Sequence, residues 1–315
     1  MSRIWFVTGA SSGFGRAITE AALAEGETVV AAVRRPEALD DLVAAHADLI
    51  DPIALDVTDP AAVGPAVDGA IARHGRIDVL VNNAGRTQVG AVEETTDREL
   101  RDLFDLHLFG PFGLTRAVLP HMRERRSGAI VMMSSVGGQV VMPGFGAYCA
   151  TKFALEAVTE TLAAEVAPFG IRVLAVEPGA FRTNLFGPGA AVLSAENPVY
   201  ADTAGATRRF VENGDGTQPG DPAKAARRSA RRSPRSRRRS ACRWAATPWT
   251  GSSPTSTRCA PRWRRGRRSR AAPTSTTPAS DRAEKAIFPT NGTFVGTYPT
   301  NGPFVGGRVQ RWSDR

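Results

Sequence analysis

Cysteine is scarce in this chain of 315 residues. Cys149, Cys242 and Cys259 are too few and too scattered for a disulfide framework. No two of them have the spacing of paired metal ligands, so the sequence predicts no metal site. This usage indicates a protein of a reducing compartment.

Long hydrophobic runs are missing as well. The apolar run at residues 4–7 is too short for a signal peptide or a membrane span. No later run approaches the roughly 20 apolar residues that a spanning helix needs. We therefore expect a cytoplasmic protein with no membrane partner.

Acidic residues are absent from one segment. Residues 227–280 contain 16 Arg and no Asp or Glu. The whole chain has a net charge of +9, so the part outside this segment has a net charge of −7. Arginine binds nucleic-acid phosphates with salt-dependent, sequence-independent affinity, which makes a nucleic-acid-binding protein an alternative interpretation. The segment has no aromatic platform beyond three tryptophans and no recognised reading module. We expect no specific nucleic-acid partner.

A glycine-rich loop is the first motif that is present. It lies between the apolar residues 4–7 and residues 16–23, which have helical composition. Glycine permits a tight turn and a close approach to pyrophosphate, and the following helix N-terminus offers free N–H groups. The order strand, loop, helix predicts a dinucleotide site. Its candidate residues are Gly9, Ser11, Ser12, Gly13, Phe14 and Gly15.

Two arginines follow the next predicted strand. The strand covers Thr28–Val33 and leads into Arg34 and Arg35, with no acidic residue before Glu37. Arginine at this point accommodates a 2′-phosphate, whereas a carboxylate binds a 2′-hydroxyl. We therefore expect NADP(H) as the preferred cofactor. The alternative is that both arginines lie in solvent and contact no phosphate, in which case NAD(H) is the cofactor.

Strands and helices then alternate about every 25 residues. A third strand is predicted at residues 52–57, a helix at Pro60–His74 and a fourth strand at residues 77–81. This alternation predicts an α/β fold with a doubly wound parallel sheet and helices on both faces, in three layers. Ligands bind at the carboxyl ends of such strands. The candidates there are Asp56, Val57, Asn83, Ala84 and Gly85.

A tyrosine and a lysine lie four residues apart at the start of a predicted helix, residues 148–166. The spacing places Tyr148 and Lys152 on one helical face. Tyrosine ionises near pH 10, so a nearby cation that favours the phenolate suits an acid/base tyrosine. Ser135 follows the predicted strand 129–133, lies 13 residues before Tyr148 and would face the same crevice. For Tyr148 and Lys152 taken alone, the alternative is that both side chains lie on a solvent-exposed face of the helix.

Together these motifs resemble the short-chain dehydrogenase/reductase family over residues 4–226. The resemblance is carried by Thr-Gly-x3-Gly-x-Gly, Asn-Asn-Ala-Gly, Ser-x12-Tyr-x3-Lys and the later Pro178-Gly179. It implies a Rossmann-type fold in which Tyr148 exchanges a proton with the substrate oxygen during hydride transfer. It further implies that Ser135 orients that oxygen.

The resemblance assigns two more contacts with the nicotinamide half of the cofactor. Lys152 would lower the pKa of the tyrosine and hold the ribose, and Thr183, after Pro178 and Gly179, would contact the carboxamide. One position departs from the family, because His107 stands where an asparagine usually completes a proton relay through water to the lysine. Histidine can bridge to water and titrates near neutrality. It either replaces the asparagine or packs as a satisfied helix histidine.

The substrate and the assembly are implied by the same resemblance. Ser-Val-Gly-Gly from Ser135 and Pro-Phe-Gly at residues 168–170 are similar to the hydroxysteroid and retinol dehydrogenase branch. That similarity favours a bulky apolar alcohol or ketone, so we expect a small-molecule substrate that is an apolar ketone or secondary alcohol. Residues 184–220, the substrate segment, would form a mobile lid. Family relatives pair through helices that correspond to residues 100–122 and 148–166, which implies a homodimer or homotetramer.

The composition changes after residue 226. Residues 227–280 contain no Val, Ile, Leu, Met, Phe or Tyr, so they cannot bury enough apolar surface to offset their ordering entropy. We expect the catalytic domain to end near residue 226 and residues 227–315 to form a disordered basic tail. We expect this tail to lack the last strand of the family. A ten-residue repeat at 288–306 has no functional assignment.

A frameshift near residue 227 is our hypothesis for this change. In a G/C-rich gene, the third-base frame of residues 243–250 can read Leu-Gly-Gly-Asp-Ala-Val-Asp, followed by an amphipathic helix of the family's type. Stop codons in that frame of the gene would contradict the hypothesis. If the lost elements complete the substrate pocket, the chain would be a dinucleotide-binding but catalytically impaired member.

Overall fold

The computed structural model describes residues 2–230 and 241–244. The strands are β1 Ile4–Thr8, β2 Thr28–Val33, β3 Ile50–Ala54, β4 Val79–Asn82, β5 Thr87–Val89, β6 Gly128–Met133, β7 Ile171–Pro178, β8 Ala191–Leu193 and β9 Ala241–Trp244. The helices are α1 Gly13–Ala24, α2 Asp40–His46, α3 Pro60–His74, α4 Asp97–Phe104, α5 Gly110–Glu124, α6 Gly146–Val166, α7 Ala204–Gly214 and α8 Pro222–Ala230.

Seven strands form one parallel sheet in the order β3-β2-β1-β4-β6-β7-β9. Strands β5 and β8 pair in parallel as a separate two-stranded sheet. The order reverses between β1 and β4, which is the point where ligands bind in doubly wound folds. The predicted α/β doubly wound sheet is confirmed.

Alternating side chains of the central strands build two separate cores. In β1, Ile4 and Phe6 pack with helices α3, α5 and α6 on one face. Trp5 and Val7 pack with α1 and α2 on the other face. Because successive side chains of a strand point to opposite faces, an uninterrupted apolar strand requires helices on both sides. The three predicted layers follow from this arrangement.

The predicted helix at residues 100–122 is interrupted. A π-helical turn at Asp105–Phe109 separates α4 from α5. At its end, Gly110 packs so closely that an added Cβ would lie 2.7 Å from the carbonyl oxygen of Val57. The extra residue of a π-turn is local and leaves the apolar periodicity of both flanking helices intact, so periodicity alone did not reveal it.

The arginine-rich segment 227–280 contributes the end of one helix and one strand to the described structure. Helix α8 continues to Ala230, and its Ala226 packs against Ala17 and Ala21 of α1. Strand β9 pairs with β7 in the register Ala175↔Ala241 to Pro178↔Trp244. The expected absence of a last strand is therefore wrong for residues 241–244, because a parallel ladder is built from backbone groups and this stretch contains no proline. The other tail residues, including the 288–306 repeat, lie outside the described residues.

Two further findings concern the described part of the chain. None of its helices combines the length and the apolarity required to cross a bilayer. It also contains no group of three or more His, Cys, Asp or Glu side chains arranged to hold a metal ion.

Candidate active site

A cavity of about 940 Å³ lies at the carboxyl ends of the central strands. This volume is within the range of small-molecule sites. Gly15 is the one predicted site residue that does not line it. The predicted residues that it brings together are Gly9, Ser11, Ser12, Gly13, Phe14, Arg34, Arg35, Asp56, Val57, Asn83, Ala84, Gly85, His107, Ser135, Tyr148, Lys152, Pro178, Gly179 and Thr183.

The glycine loop needs its glycines for two different reasons. Gly9 and Gly13 have φ values of 65° and 53°, which side chains rarely adopt. Gly15 instead lies under the turn, where an added Cβ would come within 2.1 Å of the Gly9 carbonyl oxygen. Gly15 therefore permits the fold of the loop, and the loop in turn exposes backbone to the cavity.

A threonine hydroxyl ties the glycine loop to the end of β4. Thr8 Oγ1 accepts hydrogen bonds from the backbone N–H groups of Asn83 at 2.9 Å and Ala84 at 3.0 Å. The same hydroxyl donates to the carbonyl oxygen of Val81 at 3.2 Å. The Asn83 amide donates back to the Thr8 carbonyl oxygen at 2.9 Å. Two cavity walls are thus held in fixed register without an ion pair.

The residues after β2 and β3 form a charged part of the cavity. Arg34 and Arg35 are exposed there. Asp56 accepts hydrogen bonds from the Thr58 backbone N–H at 2.9 Å and from its hydroxyl at 2.7 Å. Burial acts to raise the pKa of Asp56, but these bonds and the charge of Arg34 outweigh it and lower the pKa. Asp56 is therefore ionised near a cationic group.

Tyr148 and Ser135 are buried together at the cavity wall. Burial raises the pKa of Tyr148 to about 12, and a hydrogen bond with Ser135 opposes this effect only in part. The Ser135 hydroxyl also accepts the backbone N–H of Gly137 at 3.1 Å. The phenol is therefore protonated at neutral pH and lies within reach of a second hydroxyl.

Lys152 extends beneath the tyrosine ring. Its Nζ lies 5.7 Å from the Tyr148 ring centroid and donates to the carbonyl oxygen of Met133 at 3.0 Å. Burial lowers the pKa of Lys152 to about 8, although the charge of Glu156 opposes this shift. Burial dominates the raised pKa of Tyr148, and the lowering of that pKa expected from Lys152 stays a prediction.

His107 is buried with both ring nitrogens engaged. The backbone N–H of Arg86 donates to Nε2 at 3.2 Å, so in the neutral ring Nδ1 carries the hydrogen. Nδ1 lies 2.9 Å from Thr151 Oγ1, which donates to the Tyr148 carbonyl oxygen at 2.8 Å. Burial, followed by the charges of Lys152 and Arg86, lowers the pKa of His107 well below its usual value. The ring therefore links two walls of the cavity in its neutral form.

The position of His107 depends on the π-helical turn. This turn holds the imidazole edge-on to the Tyr148 ring, with centroids 5.6 Å apart and an interplanar angle of 85°. Such turns occur frequently at functional sites. Because both ring nitrogens have hydrogen-bond partners, the geometry favours the interpretation that His107 packs within the fold and does not replace the asparagine of the relay.

Three residues with clear roles in this geometry were not among the predicted site residues. Thr8 heads the glycine motif and Thr151 lies inside the Tyr-x3-Lys motif, so their positions offered a signal. Arg86 directly follows Gly85 and also lines the cavity. No sequence pattern distinguishes its role from that of a solvated arginine.

Comparison with known proteins agrees with this geometry. Residues 3–191 match the sequence model of the family described as short chain dehydrogenase. Oxidoreductase BOA17 of Botryotinia fuckeliana is 40% identical over 227 residues, covering 72% of this chain and 82% of that protein. The crystal structure of a short-chain dehydrogenase from Streptomyces avermitilis is 60% identical with a TM-score of 0.72, covering 78% of this chain and 88% of that chain.

A third similar structure contains a bound cofactor. It is a metagenomic short-chain oxidoreductase in complex with NADP, 32% identical with a TM-score of 0.54. The similarity covers 56% of this chain and 81% of that chain. The fold, the motifs and the matched residues together show that this chain belongs to the short-chain dehydrogenase family of oxidoreductases.

Proposed function

We propose that this protein is an NADP(H)-dependent oxidoreductase that interconverts an apolar secondary alcohol and its ketone. The observation that carries the proposal is the meeting of Ser135, Tyr148 and Lys152 in the cavity that the glycine loop also lines. A proton-exchanging group and a dinucleotide site in one cavity are the two requirements of reversible hydride transfer.

The cavity residues fit a phosphorylated dinucleotide. The turn at Gly9 and Gly13 presents backbone that side chains would otherwise cover, and it leads into the N-terminus of α1, which favours phosphate. Arg34 and Arg35 would bind a 2′-phosphate, and Lys152 and Thr183 would hold the nicotinamide half. The bound NADP of the metagenomic relative supports this choice. When bound, the cofactor supplies or accepts the hydride.

The protein's own groups would move the proton. In ketone reduction, Ser135 holds the carbonyl oxygen and the Tyr148 phenol donates its hydrogen to that oxygen as the hydride arrives. A pKa of about 12 keeps this donor protonated through neutral pH. In alcohol oxidation the phenolate is the acceptor, so the oxidation rate should rise with pH. Below its pKa of about 8, the Lys152 ammonium favours the phenolate in that direction.

Apolar side chains support the substrate class. Leu185, Phe186 and Val192 of the substrate segment line the cavity beside Pro188. Phe186 also packs edge-on against Phe210 of α7, with ring centroids 5.6 Å apart. A wall of this composition favours an apolar substrate body over a sugar or another highly polar one.

Exposed aromatic side chains support self-association. Phe109 and Phe112 are 61% and 44% exposed at the start of α5, and Phe153 of α6 is 44% exposed. These are the regions implied for pairing, so a homodimer or homotetramer would cover them.

The test replaces the phenolic hydroxyl alone. Tyr148→Phe should lower turnover of an apolar ketone by about 1,000-fold, within the range for loss of an acid/base group. NADPH should still raise the unfolding midpoint of this variant, and more than NADH does, because a ligand that binds only the folded protein stabilises it.

Tyr200→Phe is the matched control, since Tyr200 lies outside the cavity and donates its hydroxyl to Glu93. It should leave turnover unchanged. Retained ketone reduction in Tyr148→Phe would contradict the proposed chemistry. Binding of NADPH with no turnover of any apolar ketone by the unaltered protein would instead favour a catalytically impaired member.

A further inference from the structure

A cationic side chain in the cavity has no partner in the part of the chain that the structure describes. Arg86 lines the cavity and is partly buried. Among the described residues, no hydrogen bond or ion pair reaches its guanidinium group, and its Nε atom is fully buried without a partner. Buried polar groups are nearly always paired, so an unpaired one requires an explanation.

The backbone holds Arg86 between two functional regions. On one side it follows Gly85, and its own N–H donates to His107 Nε2 at 3.2 Å. On the other side Thr87 begins β5, which pairs with β8 of the substrate segment. The guanidinium therefore extends from a backbone that is fixed at the border between the cofactor loop and the substrate wall.

The carboxylates that line the cavity form no ion pair with Arg86 among the described residues. Asp102 and Asp105 line the same cavity. Within residues 2–230, neither forms an ion pair with Arg86, and Asp102 is instead 3.8 Å from Arg98. The positive charge of Arg86 also contributes, after burial and Lys152, to the lowered pKa of His107. The cavity thus contains an uncompensated charge beside its catalytic wall.

We propose that Arg86 binds an anionic group of a ligand in this cavity, either a phosphate or a carboxylate. The planar guanidinium presents several donors that match the oxygens of both groups. Two sources offer this chemistry: the phosphates of the dinucleotide, or an acidic group at one end of an otherwise apolar substrate. The second source rests on the proposed function, whereas the first requires dinucleotide binding alone.

The experiment uses the full chain with Arg86→Met, which removes the charge and keeps a long side chain, and Arg86→Lys, which keeps the charge. Arg172→Met is the matched control. Exposed Arg172 lies near the amino-terminal end of β7, whereas the cavity lies at the carboxyl ends of the strands. Unfolding midpoints of all variants establish that each is folded.

The first arm measures NADPH affinity by its fluorescence. If the dinucleotide supplies the anion, Arg86→Met should weaken binding about 10- to 100-fold, as expected for a lost hydrogen bond between charged groups. Arg86→Lys should weaken it less, and Arg172→Met should leave it unchanged.

The second arm measures binding of para-acetylbenzoate and of its neutral methyl ester to the NADP-saturated protein, so it does not require turnover. If the substrate supplies the anion, the preference for the carboxylate over the ester should fall about 10- to 100-fold in Arg86→Met. NADPH affinity should then be unchanged. Equal binding of all probes to the folded Arg86→Met and to the unaltered protein, in both arms, would overturn the proposal.

Discussion

The two sides of the cavity are held in place by different interactions. On the cofactor side, the Thr8 hydroxyl joins β1 to the end of β4 through three hydrogen bonds, and Gly15 lets the glycine loop close against the Gly9 backbone. The hydrogen bonds end on backbone atoms, and the backbone at Gly15 packs so closely that it leaves no space for a side chain. An added atom would disturb this side more than the loss of a charge.

The substrate side, which comprises β5, β8 and α7 and is where we propose that the substrate binds, is held by a buried polar network. Ser194 Oγ accepts from the Gln88 amide at 2.9 Å and donates to Glu99 at 3.2 Å. Glu94 accepts the backbone N–H groups of Ala91 at 2.7 Å and Asn197 at 2.8 Å. Arg208 of α7 donates to the Ser194 carbonyl oxygen at 2.7 Å and lies 3.6 Å from Glu94.

This difference indicates which changes each side tolerates. The cofactor side, which is proposed to bind the dinucleotide, is built from close backbone contacts such as that of Gly15 with the Gly9 carbonyl oxygen. The substrate side is joined largely through side chains, so we expect single substitutions there to leave the central sheet in place. Loss of a buried charge should disturb this side more than an added methyl group.

The sharpest test of the cofactor side is Gly15→Ala. Its methyl group would lie 2.1 Å from the Gly9 carbonyl oxygen, so backbone must move. We expect a loss of about 3 kcal/mol or more in the free energy of unfolding, at the upper end for overpacking. We also expect the rise in midpoint caused by NADPH to be abolished, because the displaced backbone borders the phosphate site.

Gly64→Ala is the control for this substitution. Gly64 lies inside α3 with no atom near its would-be Cβ. Alanine should stabilise the helix there by about 0.5–1 kcal/mol, since glycine has the lower helix propensity. Equal stability and equal NADPH response in both variants would show that the loop is not closely packed, and the comparison would fail on this side.

The cofactor side is also the part that could be predicted from the sequence. The strand Thr28–Val33 and the helix Pro60–His74 have the predicted bounds, and all but one of the predicted site residues line one cavity. Short motifs sufficed there because the glycine loop, Arg34, Arg35 and the residues from Asn83 to Gly85 follow closely on strand ends, whereas Tyr148 and Lys152 were indicated by their spacing on a helix. Proximity along the chain there means proximity in the fold.

The remaining structure depends on contacts between distant residues. Gln88 and Ser194 meet although 106 positions separate them, and no local pattern indicates that pairing. The same holds for β8 and α7, which lie in a stretch predicted only as a lid, and for β9, whose pairing depends on backbone groups. The mobility of the substrate segment stays a prediction.

The buried pair Glu94 and Arg208 offers the next largest effect. Hydrogen bonds, first that of Asn197 and then that of Ala91, and the charge of Arg208 lower the pKa of Glu94 despite opposing burial, so it is ionised. Arg208→Met leaves this carboxylate buried without its cation. We expect a loss of about 2 kcal/mol in the free energy of unfolding, typical of an unpaired buried group.

The double variant Glu94→Gln with Arg208→Met should lose less stability than the sum of the single variants, by about 1 kcal/mol. Substrate KM should rise in Arg208→Met while NADPH affinity stays constant. Additive losses together with weakened NADPH binding would show that the two sides are not held independently.

The smallest effect concerns His107, which borders both sides. An asparagine places its amide near the position of Nδ1 and can keep the bond to Thr151, whereas a glutamine can keep the acceptor for the Arg86 N–H at the position of Nε2. Each variant should lose about 1 kcal/mol of unfolding free energy, the value of one hydrogen bond. His107→Gln should mainly lower kcat, because Thr151 is bonded to the Tyr148 backbone, and His107→Asn should mainly weaken NADPH binding.

The pH dependence of stability separates this positioning role from a proton relay. Because the pKa of His107 is lowered in the folded protein, the unfolded chain binds a proton below pH 6.5 that the folded protein does not. The unaltered protein should therefore lose stability relative to His107→Gln as the pH falls below about 6.5, while the two keep the same pH dependence of kcat near neutrality. If the kcat profile of His107→Gln shifts near neutral pH and the stability difference stays constant, the ring takes part in proton transfer, and the chemistry then extends to the border of the substrate side.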